Sequence, residues 1–290
     1  MIIKIKLSLV LLLMIAHSCS SDADKLKSDA VGMENLSGLK YTQSERDSAL
    51  ESLTRFKAQY DSLRTIQISN NIPLPLYFNP LTSGQEIPKG REKYLFQEFP
   101  TKRPDNIENC AFYTIGQLAH LIRTRQISSL ELTNMYLSRL ERFGPQLECA
   151  ITLTRELAIE QAKRADELIK NGKYLGPLHG IPYGAKDLLA VEGYKTTWGA
   201  MTHKDQYIES TATVIKKLEE AGAVLLAKLT LGALAWGDNW YGGKTRNPWN
   251  TELGSSGSSA GPGSATSAGL VAFSIGSETW GSIVSPSTVN

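Results

Sequence analysis

The stretch GSSGSSAGPGSATSAG, residues 254–269, crowds serines and glycines together, and a further serine, Ser282, follows in the motif Thr279-Trp280-Gly281-Ser282. A serine hydroxyl attacks a carbonyl only when a base removes its proton, so the chemistry depends on what else the chain supplies. Gly257-Ser258-Ser259-Ala260-Gly261 fits the G-x-S-x-G elbow with Ser259 as nucleophile. That arrangement places its histidine after the serine, whereas His17, His120, His179 and His203 all precede it. A phosphate-cradling loop is excluded as well, because no Gly-Lys-Ser/Thr follows the glycines. A Gly/Ser run also reads as a flexible linker. Trp249 before it and the apolar segment 270–275 after it point instead to an ordered loop, whose glycines let backbones approach closely.

Without a histidine, the base left for a serine near neutral pH is a lysine held unprotonated. Lys186 follows Gly184-Ala185 in an apolar setting, where desolvation would lower its pKa from about 10.4. A lone lysine is more often a solvated surface charge, and the residue by itself leaves both readings open.

The segments together resemble the amidase signature family. Leu178-His179-Gly180-Ile181-Pro182, Ala185-Lys186-Asp187 and Thr196-Thr197 match its first motif. Thr245-Arg246-Asn247-Pro248-Trp249-Asn250, the Gly/Ser run and Thr279-x-Gly281-Ser282-Ile283 match its second, and the likeness extends from about Ala111 to the last residue. The resemblance implies a Ser-Ser-Lys triad of Ser282 as nucleophile, Lys186 as base and Ser258, 24 residues before the nucleophile, as the proton carrier between them. It also implies a cis peptide bond at Gly257-Ser258 and an oxyanion hole from the backbone N–H groups of Thr279, Trp280, Gly281 and Ser282. The implied reaction is hydrolysis of a carboxylic amide of a small molecule or peptide, with no metal or cofactor. Ser256, Ala260 and Trp280 stand where the family usually has glycine, and Val284 where it often has arginine. Asp187 and Arg246 read as orienting or ion-pairing residues.

These residues need a scaffold. Thr42-x-x-Glu45, Thr114-x-x-Gln117 and Ser128-x-x-Glu131 are capping boxes that open helices. Leu50, Leu53, Phe56, Tyr60 and Leu63 form one apolar helical face, expected to pack, and the helix after Ser128 is expected to stop at Gly144-Pro145. Residues 149–153 and 223–227 read as strands, with helices ending near Gly172 and Gly222. Strands alternating with helices predict an α/β fold, and the resemblance specifies the amidase signature fold, a mixed sheet flanked by helices. The chain stops eight residues past Ser282, so its C-terminal half is expected to be missing and these residues alone to be little active.

At the start, Lys4 and Lys6 precede an apolar run of residues 7–16, too short for the roughly 20 residues of a membrane-spanning helix and suited to a signal peptide. Ser18-Cys19 resembles a lipoprotein cleavage box, with Cys19 as lipid anchor. The expected product is an exported bacterial protein, periplasmic or at the cell surface, tethered to a membrane. Domains are expected at residues 1–19 (signal), 20–40 (polar tether), 41–105 (helical extension and linker) and 106–290 (partial amidase domain). A formal net charge of +2 and no basic stripe exclude a nucleic-acid role. Two rivals remain: a non-catalytic surface lipoprotein, and a glutaminase subunit of the amidotransferase type, which the export signal argues against. Whether Cys110 pairs with Cys149, and the oligomeric state, are not decided by the sequence.

Overall fold

The computed structural model describes residues 22–72, 81, 84–86, 90, 97 and 99–290. Cys19, the signal segment and most of residues 73–98, within the expected linker, lie outside the described residues. The chain divides into two units, Met1–Ile72 and Pro73–Asn290.

In the first unit two helices pair, α1 (Asp22–Ser37) and α2 (Gln43–Thr65). Residues 22–37 are thus helical, where the sequence suggests an unpatterned tether. Ala, Lys, Leu, Met and Glu of good helix propensity are interleaved there. The buried Glu34 carboxylate also accepts two bonds from Arg46 at 2.7 and 2.8 Å, fastening the pair. Thr42 and Glu45 form the reciprocal capping box that starts α2. No residue of α2 is buried, and Phe56, Tyr60 and Leu63 are exposed, so the expected packing face is only partly covered.

In the second unit Thr114 and Ser128 cap α3 (Ile115–Arg123) and α4 (Ser129–Leu147), each with its reciprocal glutamine or glutamate. Helix α4 runs through Gly144-Pro145 and ends at Glu148 in the left-handed region, φ 48°. Proline removes one N–H and crowds the carbonyl four residues back, but its fixed φ is helix-compatible, and the helix continues only to Leu147. Then follow β1 (Ala150–Leu153), α5 (Arg155–Lys170), β2 (Pro182–Lys186), α6 (Thr213–Glu220), β3 (Val224–Leu229) and a two-stranded ribbon of β4 (Asn239–Trp240) and β5 (Gly243–Lys244). The chain closes with α7 (Ala260–Ser267), β6 (Phe273–Ile275) and α8 (Val284–Val289).

Four strands form a mixed sheet in the order β1-β3-β2-β6, antiparallel between β1 and β3 and parallel elsewhere. Both faces are covered. On one, Val224, Leu226 and Leu229 join Leu118, Leu132, Tyr136 and Leu140 of α3 and α4. On the other, Tyr183, Ala185 and Leu225 meet Ile215 and Leu218 of α6. Burial on both sides explains why β2 and β3 lack polar alternation. Cys110 and Cys149 are both free and buried. Among the described residues no helix is long and apolar enough to cross a membrane.

Candidate active site

The parallel strands β2, β3 and β6 deliver their carboxyl ends to one edge of the sheet, where α/β folds gather ligands. Lys186 is the last residue of β2 and has no exposed surface. Its Nζ reaches Ser258 Oγ at 2.8 Å, Ser277 Oγ at 3.0 Å, Ser259 Oγ at 3.1 Å and the Ser277 carbonyl at 3.3 Å. Among the described residues no carboxylate pairs with it, and desolvation pushes its pKa down to about 8.

Protons can be assigned around this nitrogen. Ser259 Oγ donates to the Ser277 carbonyl at 3.1 Å and accepts from the Ser277 N–H at 3.2 Å, which commits its hydroxyl proton. It can therefore only accept from Lys186. A neutral amine has two N–H donors and one lone pair. With donors directed to Ser259 and Ser277, the lone pair is left for the hydroxyl of Ser258, the shortest of the four contacts.

Ser258 and Ser259 sit just before α7, and the Gly257-Ser258 peptide bond is cis. A side chain at Gly257 would collide with the Gly237 carbonyl, so only glycine lets these two backbones approach this closely. Ser256 Oγ bonds Ser285 Oγ of α8 at 2.6 Å, which ties the serine run to the segment after Ser282.

Ser282 lies in the turn between β6 and α8. Its carbonyl accepts from the Ser259 N–H at 2.9 Å, and Gly281 before it adopts φ +86°, which favours glycine. Among the described residues no hydrogen bond is made by the Ser282 hydroxyl. Ser282, Ser258, Trp280, Trp236 and Asp238 line one cavity of about 420 Å³. The Glu278 carboxylate accepts from the N–H of Ile283 at 2.6 Å and of Val284 at 2.7 Å. Those two amides, and more weakly that of Gly281, hold it below the usual carboxylate range. Of the four amides expected as oxyanion donors, Gly281 thus faces Glu278, while Thr279, Trp280 and Ser282 donate to no described residue.

Asp187, the residue after Lys186, forms a wholly buried ion pair with Lys228 at 2.6 Å. Asp187 also accepts from the Thr197 N–H at 2.7 Å and hydroxyl at 2.6 Å, in accord with an orienting reading. Arg246 lies 3.9 Å from Glu148. Lys228 and Ser277 are the site neighbours that sequence reasoning does not single out, and Ser259, read there only as the nucleophile of an excluded elbow, instead bonds Lys186. Lys228 could have been found as a charge inside the apolar run of β3, which demands a partner; Ser277 carries no such signal. Among the described residues no group of His, Cys, Asp or Glu is gathered to hold a metal ion.

The model of the family described as Amidase matches residues 131–290, more than half of the chain. The chain belongs to the amidase family. Among curated relatives it is 38% identical over 179 residues to a glutamyl-tRNA(Gln) amidotransferase subunit of Thermoanaerobacter pseudethanolicus, covering 61% of this chain and 36% of that one. Among solved structures it resembles the native peptide amidase of Stenotrophomonas maltophilia, with TM-score 0.57 and 33% identity over 62% of this chain and 39% of that one. It also resembles fatty acid amide hydrolase, with TM-score 0.58 and 28% identity over 63% and 33%. The fold is therefore that of the amidase signature enzymes, and the chain spans little more than a third of the length of the curated relatives it matches.

Proposed function

We propose that this amidase-family chain carries the Ser-Ser-Lys machinery of an enzyme that hydrolyses carboxylic amides through a serine acyl-enzyme. The observation that carries the reading is the 2.8 Å contact between a fully buried, carboxylate-free Lys186 and Ser258, which shares a cavity with Ser282. Neutral Lys186 takes the proton of Ser258, Ser258 takes that of Ser282, and Ser282 Oγ bonds to the amide carbon. Backbone amides of the 279–282 turn receive the developing oxyanion. As the tetrahedral intermediate collapses, the C–N bond breaks and Ser258 protonates the leaving nitrogen, recovering its own proton from Lys186. Water then releases the acyl group by the same relay.

The nucleophile turn stands open, with Trp280 82% exposed. We therefore propose that turnover needs further protein to wall this turn, and expect residues 1–290 alone to be slow or inactive. The N-terminal lysines, the short apolar run and Cys19 support export and a lipid anchor. The likeness to the amidotransferase protein favours a second reading, in which the amide cleaved is that of glutamine.

A panel of simple amides, glutamine included, offered to the full-length protein tests this. Hydrolysis that disappears in Ser282→Ala and Lys186→Met is expected. Undiminished hydrolysis in Ser282→Ala would remove the nucleophile assignment, and glutamine as sole substrate would select the second reading.

A further inference from the structure

The cavity that contains Ser258 and Ser282 has an unusual wall. Trp236 and Trp280 are 71% and 82% exposed, yet their rings stack on each other with centroids 5.9 Å apart and planes at 27°. To hold a planar ring between them they would need two contacts of roughly 3.5–4.0 Å each, about 7 Å or more in all. The pair is too close for that. It presents a single composite indole surface, whose negative π faces attract a cation.

Among the described residues, Asp238 is the one member of the lining with an acidic or basic side chain. Asp238 Oδ2 accepts from the Ser256 N–H at 3.1 Å. Among the described residues no ion pair forms with Asp238, including with Lys244, whose side chain passes Gly254 beside it. The other lining residues are serines, glycines and Ala235. Lys186, on the far side of Ser258, spends its contacts on Ser258, Ser259 and Ser277. A neutral aromatic group would use the indoles but leave the carboxylate unpaired, and an anionic group would be repelled by it. An ammonium group uses both.

We infer that this cavity selects amides carrying a cationic ammonium group near the scissile carbonyl, held by the Trp236–Trp280 surface and by Asp238. The inference rests on the proposed serine amidase reading for its catalytic meaning. The binding it requires does not depend on turnover.

The test uses the full chain labelled with 5-fluorotryptophan and titrated with choline and with its neutral isostere 3,3-dimethylbutan-1-ol. Fluorine resonances of Trp236 and Trp280 are assigned from single Trp→Phe variants. Choline is expected to shift both resonances saturably, at least tenfold more tightly than the isostere. Asp238→Asn keeps an acceptor for the Ser256 N–H and removes the charge, and should erase that preference; Trp280→Ala should weaken choline without creating a preference for the alcohol. Equal affinity for the two probes, or a choline preference untouched by Asp238→Asn, overturns the inference. Failure of a serine-reactive phosphonate to label a protein that still prefers choline would sink the amidase reading alone. Labelling without a choline preference would sink the cation site alone.

Discussion

Lys186 and Ser282 belong to one proposed relay, but the molecule holds them in opposite ways. Lys186 ends a central strand, has no exposure and is met by oxygen atoms of three serines, and the next residue, Asp187, is held in a buried ion pair with Lys228. Ser282 lies on a turn next to an exposed tryptophan, and its hydroxyl makes no bond to a described residue. The difference follows from what each group must do. A lysine works as a base only if the fold removes water from it, which takes a rigid buried site. A nucleophile has to be reached by substrate, so its surroundings can be completed by other chain or by the substrate itself.

Substitutions at the two ends should therefore differ in kind. The largest effect is expected for Lys186→Met in the full-length protein, where loss of the base should lower amide turnover by about 10²–10⁴-fold. Its stability should hold or rise, because a desolvated amine is replaced by an apolar chain of similar length. Asp187→Asn should be the costliest for folding, about 3–5 kcal/mol by denaturant titration, since it leaves the buried Lys228 without its counter-charge. Replacing both partners with apolar residues should recover much of that loss.

A pH titration separates the ends further. With the pKa of Lys186 near 8, amidase activity should rise about fivefold from pH 7 to 8 and about tenfold from pH 7 to 9, levelling off above that as the neutral amine becomes the main form. Stability should climb between about pH 8 and 10.5, because the unfolded lysine keeps its proton in that window while the folded one has lost it. Lys186→Met should abolish that climb. The smallest effect is expected at the open end, where Trp280→Ala should stay within about 0.5 kcal/mol of the parent in stability. A large loss there would show that the turn is not open.

The lysine end is also the end that sequence reading reaches best. The capping boxes at Thr42, Thr114 and Ser128, the helix stop before Gly222 and the apolar runs of β1 and β3 are local signals, and each appears as an element. Lys186 and Ser258 are legible through motif order, since the family resemblance fixes which serine of a crowded run to choose. What stays hidden depends on tertiary contact. Residues 22–37 carry no marked apolar face and become helical beside α2, where the Glu34–Arg46 bonds join the two. Pro145 is a stop signal by type, yet α4 contains it and ends only at Leu147. Ser277 looks like any other serine until β6 brings it to the lysine, and the stacking of Trp236 on Trp280 joins residues far apart in the chain.

The central claim is that Ser282 is the nucleophile and that Lys186 activates it through Ser258. It is tested most directly by treating the full-length protein with a serine-reactive phosphonate and mapping the adduct by peptide mass spectrometry. The account predicts a single adduct on Ser282, formed faster as pH rises towards 8, strongly slowed in Lys186→Met and absent in Ser282→Ala. An adduct on Ser258 or Ser259 in the parent protein, or undiminished labelling in Ser282→Ala, would contradict it.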